Sequence, residues 1–186
     1  MNLLKQFESE KAERIEALAC DVPLPAKAMD WMFGSCKHGY TYNFSWLGVS
    51  VIQFPQNLMV LQDITTNTRS GEIVEIGVAH GGSLIFYASL LALLGDEGRF
   101  VGMGIDIRSH NRERLETHSL SRYITLIENS SVDDAVLAQV HEIVSDRRVL
   151  AVLDSNHTHA HVLRELELYS PMVRGGGYVV VFATPL

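Results

Sequence analysis

Glu72-Ile73-Val74-Glu75-Ile76-Gly77-Val78-Ala79-His80-Gly81-Gly82-Ser83 is the stretch that decides the fold. Its first half, EIVEIG (72–77), is a short apolar run of the kind that forms a buried strand, and it leads straight into a glycine-rich turn. GSLIFYASLLALLG (82–95) then reads as a buried helix, too short to span a bilayer. The same alternation continues downstream. RFVGMGIDI (99–107) is a second strand, followed by a polar helix around 110–118. YITLIEN (123–129) is a third, and VDDAVLAQVHEIV (132–144) a helix with apolar residues at 136, 137, 140, 143 and 144. RVLAVLD (148–154) is a fourth strand, HVLRELELYSPMV (161–173) a helix, and GGGYVVVF (175–182) a turn and a fifth strand. Continuous apolar strands joined by crossover helices mean a mostly parallel sheet covered on both faces. The expected fold class is therefore α/β, a doubly wound sheet in three α/β/α layers.

Upstream of this unit the pattern changes. Leu3, Leu4, Phe7, Ile15 and Leu18 recur near helical spacing, which predicts an amphipathic arm stopped by Pro23 and Pro25. Residues 31–57 are rich in aromatics, glycine and turn formers, and predict an irregular cover segment rather than regular structure throughout. A helix is expected at about 56–68. The division expected is an arm and cover segment over 1–57 and an α/β domain over 58–186.

Of the 186 residues, 47% are apolar and 20% charged, which excludes a disordered chain. The net charge of −7 argues against nucleic acid or an anionic membrane as the main partner. Two cysteines, Cys20 and Cys36, make neither a disulfide framework nor a cysteine-rich zinc site. Acids and bases mix from residue 5 onward, so the chain is expected to lack a secretory signal and to be cytoplasmic.

The chemistry gathers at strand ends. In a doubly wound sheet the first strand–helix turn lies at the carboxyl edge, where ligands bind. Gly77 suits a tight turn, while Gly81 and Gly82 are expected to let a ligand approach the main chain; the alternative is an ordinary strand–helix connection. The G-x-x-x-G-G spacing departs from the G-x-G-x-x-G of nicotinamide enzymes. Glu75, in an otherwise apolar strand, calls for a cationic partner such as a ligand amine. Asp106, just past the second strand, is placed to accept hydrogen bonds from ribose hydroxyls, or alternatively to pair with Arg108 or Arg112. Asn129, Ser130 and Ser131 offer short polar groups to an adenine ring, or equally a helix cap. Asp154 ends the fourth strand in the same crevice and could ligate magnesium, with His157 three residues on as a general base. His80, in the turn, is either a ligand contact or a helix cap. His159 and His161 read as surface or helix-start residues rather than zinc ligands.

VEIGVAHGGS, LDSNHTHAHVLRELELYSPMV and WLGVSVIQFPQNLMVLQDI together resemble the cephalosporin hydroxylase and rhamnosyl O-methyltransferase family, over residues 40–186. The resemblance implies a Rossmann-like methyltransferase fold, with S-adenosylmethionine as methyl donor. It implies transfer to a hydroxyl of a small-molecule acceptor, a sugar or other natural-product scaffold. It assigns Glu75, Gly77, Ala79, Gly81, Gly82 and Ser83 to the cofactor turn, Asp154 to the first magnesium ligand and His157 to the catalytic base. Three departures accompany it. Gly104 and Ala183 stand where the family has acids, and the chain stops at Thr184-Pro185-Leu186 before a metal-completing Glu-Asp pair and two further strands. The expectation is a weak, incomplete magnesium site, impaired catalysis and a homo-oligomer that covers an apolar edge strand. The competing expectation is a non-catalytic, oligomerising binding protein on the same fold.

Overall fold

The computed structural model describes residues 2–144 and 147–182. It divides into two compact units, up to Tyr40 and from Thr41 onward. In the first, Asn2 caps helix α1 (Leu3–Cys20) by accepting from the Leu4 amide at 3.1 Å. Helix α2 (Pro23–Cys36) follows at once. Pro23 and Pro25 do more than end the first helix. They open the second, because the first helical turn needs no N–H from those positions. Residues 31–36, expected to be irregular, are therefore helical. Trp31 meets Tyr40 edge to face, with ring centroids 5.0 Å apart.

The second unit begins with a hairpin inside the expected cover segment. Strands β1 (Phe44–Trp46) and β2 (Val49–Val51) pair antiparallel. Leu47 and Gly48 turn between them at φ +46° and +83°, the double left-handed geometry that suits strand twist. Val49 and Val51 are buried. The Trp46 indole N–H donates to Ser89 Oγ at 3.0 Å, and its ring meets Phe86 edge to face. The segment thus covers the core through specific packing.

Helix α3 (Pro55–Thr68) leads into the alternating unit. Its elements are β3 (Glu72–Ile76), α4 (Gly82–Leu94), β4 (Arg99–Gly104), α5 (Ser109–Glu116), β5 (Ile124–Glu128), α6 (Asp134–Val144), β6 (Val149–Leu153), α7 (His159–Tyr169) and β7 (Tyr178–Val181). The strands form one parallel sheet in the order β5-β4-β3-β6-β7. Side chains alternate between two cores. Ile73, Phe100, Leu150 and Val152 pack with Leu84, Leu91 and Leu115 on one face. Val74, Val101, Met103 and Leu153 pack with Val136, Val140 and Tyr169 on the other. This is the three-layer, Rossmann-like α/β fold expected from the strand pattern.

The winding reverses at β3: the chain moves outward through β4 and β5, then returns to β6 on the other side. Such a reversal leaves a crevice beyond the strands' carboxyl ends. Among the described strands β7 lies at one edge, with Tyr178 and Val181 exposed. Ala183 and Thr184-Pro185-Leu186 lie outside the described residues. Among the described residues no helix is long and apolar enough to cross a membrane.

Candidate active site

The carboxyl ends of β3, β4, β5 and β6 open onto a cavity of about 540 Å³, a size typical of small-molecule sites. Gly77 and Ala79 form the wall after β3, Gly104 and Asp106 that after β4. Ser130 and Ser131 follow β5, and Asp154 and Ser155 follow β6. Residues singled out in the sequence thus meet at one cavity, among them Gly77, Ala79, Asp106, Asn129, Ser130, Ser131 and Asp154. A second void of about 30 Å³ shares Gly77, Ala79 and Asp154 with it, and is bounded also by Glu75, His80, Gly81, Gly82, Ser83 and Gln53. His157 borders neither.

The turn owes its shape to its glycines, but not in the way expected for all three. Gly77 sits at φ +115°, and a Cβ there would overlap the Asp154 carbonyl oxygen. It therefore lets β3 and β6 end side by side. Gly81 and Gly82 were expected to admit a ligand. A Cβ on Gly81 would instead strike the Leu115 side chain, and one on Gly82 the Ser50 carbonyl of β2. Their smallness is taken up by α5 and by the hairpin lying across the start of α4.

Glu75 is buried, and its Oε2 has no hydrogen-bond partner. Burial first, and then the nearby Asp154 charge, push its carboxyl up to about 8 against a Ser83 hydrogen bond that lowers it. Burial likewise raises Asp154 to about 6, opposed by His157 and by Gln53. Gln53 Nε2 donates to Asp154 Oδ2 at 2.9 Å, and Asn57 Nδ2 donates to Gln53 Oε1 at 2.8 Å. This clamp on Asp154 was not read from the sequence. Its signal was QFPQN, where Pro55 starts α3 and brings Gln53 and Asn57, four residues apart, together. Because the Gln53 amide favours the charged form, Gln53→Leu is expected to raise the Asp154 pKa above about 6. A carboxyl-carbon NMR titration reads the shift directly, and an unchanged value contradicts the clamp.

Arg112 pairs with Glu128 at 2.6 Å and with Glu116 at 3.3 Å, leaving Asp106 exposed at the cavity. Near the start of α6 it is Asp133 that caps, its Oδ1 accepting from the Ala135 and Val136 amides. Ser131 is buried and donates to Glu165. His161, expected at the surface or at a helix start, lies in the first turn of α7 and lines the cavity with Nε2 2.9 Å from Glu165 Oε1. His157 is exposed, and its Nδ1 lies 3.2 Å from the Phe182 carbonyl. That carbonyl only accepts, so in the neutral ring it is Nδ1 that carries the proton, with the lone pair on Nε2.

The donor set bears on magnesium, which asks for an octahedral oxygen shell. Asp154 supplies one carboxylate, with Oδ2 already engaged by Gln53. Among the described residues no group of three or more acids, histidines or cysteines gathers to hold a metal. They present one ligand of such a site, not a complete one, and no chemical step below runs through a metal.

Comparison with known proteins agrees with this geometry. The Rhamnosyl O-methyltransferase/CmcI family model matches residues 38–186. A rhamnosyl O-methyltransferase of Mycobacterium tuberculosis is 27% identical over 157 residues, covering 81% of this chain and 60% of that protein. The enzyme of that name from Mycobacterium leprae is 27% identical over 153 residues, covering 81% and 63%. The chain thus spans about 60% of the length of the curated relatives it matches. The apo structure of CmcI superposes with a TM-score of 0.57 at 21% identity, over 75% of this chain and 57% of that one. The structure of CmcI with Mg and SAM gives 0.56 at 19%, over the same shares. With more than half its length matched, the chain belongs to the rhamnosyl O-methyltransferase/CmcI family.

Proposed function

We propose that the chain binds S-adenosylmethionine at the crevice above β3 and transfers its methyl group to a hydroxyl of a sugar or natural-product scaffold. The observation that carries this reading is the cavity at the winding reversal, bordered by the Gly77–Ala79 turn, with a buried, half-partnered Glu75 carboxyl behind that turn. The relatives' name, rhamnosyl O-methyltransferase, and the CmcI structures with SAM and SAH support it.

In this reading Glu75 and Ser83 meet the cationic methionine end, while Gly81 and Gly82 keep the turn in shape. Asp106 takes the ribose hydroxyls, since Gly104 brings no carboxylate, and Ser130 and Ser131 face the purine. His157 accepts the acceptor's hydroxyl proton at Nε2. The oxygen then bonds to the methyl carbon as the carbon–sulfur bond breaks, its electron pair staying on sulfur. The negative charge of Asp154 favours the imidazolium so formed. Such a displacement depends chiefly on aligning oxygen, carbon and sulfur. Asp154 would also be the one described residue placed to ligate a magnesium ion.

The test is transfer of a labelled methyl group to a rhamnose-bearing acceptor. His157→Ala is expected to lower kcat about 100-fold with the affinity for S-adenosylhomocysteine unchanged; an unchanged kcat removes His157 from the reaction. With Asp154 the one metal acid among the described residues, turnover is proposed to be slow, and efficient magnesium-dependent turnover contradicts that part. A second reading, a non-catalytic homo-oligomer, draws on β7, an edge among the described strands, with exposed Tyr178 and Val181. A folded, self-associating sample that does not bind the donor would favour it.

A further inference from the structure

We propose that Glu165 fixes the hydrogen-bond polarity of one wall of the cavity, so that the wall selects a 6-amino purine over a 6-oxo purine. The proposal rests on the donor reading above and names the part of the ligand that this wall would discriminate.

Glu165 projects from α7 and is fully buried. Its Oε1 lies 2.6 Å from Ser131 Oγ, 2.7 Å from Ser155 Oγ and 2.9 Å from His161 Nε2. Its Oε2 is buried with no partner. These three neighbours come from separate elements: the loop after β5, the loop after β6 and the first turn of α7. All three line the large cavity. The Tyr169 hydroxyl donates to the Ser131 carbonyl at 2.7 Å and fixes the same loop from beneath.

An ionised carboxylate only accepts, so each neighbour has to donate to it. A serine hydroxyl has a single proton, and a neutral imidazole a single N–H. Those protons are all directed at Glu165. What Ser131, Ser155 and His161 retain for a ligand is lone pairs: two hydroxyl oxygens and the imidazole Nδ1. The wall is therefore built of acceptors, by virtue of one buried acid that no ligand touches. An exocyclic amine supplies the N–H groups such a wall needs. A 6-oxo group would set an acceptor against acceptors and leave buried polar atoms unpaired. Glu165 acts here as a positioning residue, through the protons it draws away from the cavity.

The experiment is a pair of calorimetric titrations of the intact chain, with S-adenosylhomocysteine and with S-inosylhomocysteine, at about pH 8, above the ordinary imidazole range. The adenosyl ligand is expected to bind at least about tenfold more tightly. His161→Leu, with its circular dichroism and Tm retained, is expected to narrow that ratio to within about threefold. Glu165→Leu, with its circular dichroism and Tm retained, removes the shared acceptor at Oε1 and frees those protons toward the ligand, so the ratio falls or inverts. A merely structural role would weaken both ligands alike and leave the ratio in place. Equal affinities for the two ligands in the unaltered chain, or a ratio untouched by His161→Leu, overturn the proposal. Failure of both ligands to bind a folded sample instead overturns the donor reading, and this inference falls with it.

Discussion

Glu75→Gln is expected to stabilise the ligand-free protein near pH 8 while weakening donor binding about 100-fold. The Glu75 carboxyl is raised from 4.5 to about 8 by burial and by Asp154. Between those values the folded chain holds a proton that the unfolded chain has released. Stability therefore falls as pH rises through the window, and the loss is complete above about 8. Glutamine fills the same space and does not ionise. The gain near pH 8 is roughly 2–4 kcal/mol, or a Tm rise of roughly 5–10 °C, shrinking toward zero by about pH 5. The affinity loss follows from removing a buried carboxyl that gives up its proton when the cationic end of the donor meets it. Scanning calorimetry from pH 5 to pH 8 and a binding titration read the two effects separately. A variant less stable than its parent at pH 8 contradicts this assignment of Glu75.

Gly77→Ala is expected to cost at least about 4 kcal/mol and to abolish donor binding. Two effects add there. The φ of +115° is strained for any residue with a Cβ, and the Cβ would overlap main chain that cannot swing aside. The Asp154 amide donates to the Ile76 carbonyl at 2.8 Å, and the Gly77 amide to the Met103 carbonyl at 2.8 Å. Relieving the overlap means parting β3 from β6 beneath the cavity. Gly34→Ala is the control: it lies within α2, nothing sits within 4 Å of its Cβ position, and helix propensity favours alanine. Thermal unfolding with Gly77→Ala within 1 kcal/mol of the parent, about 2–4 °C in Tm, contradicts the argument.

Much of the fold was legible because its central strands are buried on both faces, and all five strands appear as short apolar runs. EIVEIG, RFVGMGIDI, YITLIEN, RVLAVLD and GGGYVVVF each contain one strand of the sheet. Boundaries were harder. Pro23 and Pro25 signal a helix start as readily as a stop, and only neighbouring structure distinguishes them. The hairpin at Phe44–Val51 was hidden because its turn is Leu47-Gly48, without the usual Asn or Asp.

At the site, acids at strand ends were readable from position alone, since every parallel strand delivers its last residue to the same edge. Glycine roles were not. Gly81 and Gly82 face Leu115 and Ser50, partners distant in sequence that no local pattern announces. Gln53 and Glu165 escaped notice for a related reason. Each acts through another side chain, Asp154 in one case and Ser131, Ser155 and His161 in the other. Glu165 in particular reads as an ordinary helix-surface acid until α7 is packed against the sheet.

The most direct test of the central claim is a calorimetric titration of S-adenosylhomocysteine into the intact chain at about pH 7, repeated in buffers of different ionisation enthalpy. The account predicts micromolar binding with release of close to one proton, because the incoming ammonium draws the proton from Glu75. The release disappears in Glu75→Gln. A folded sample that binds nothing, or that binds with no proton released, contradicts the claim that Glu75 and the Gly77 turn form the donor site.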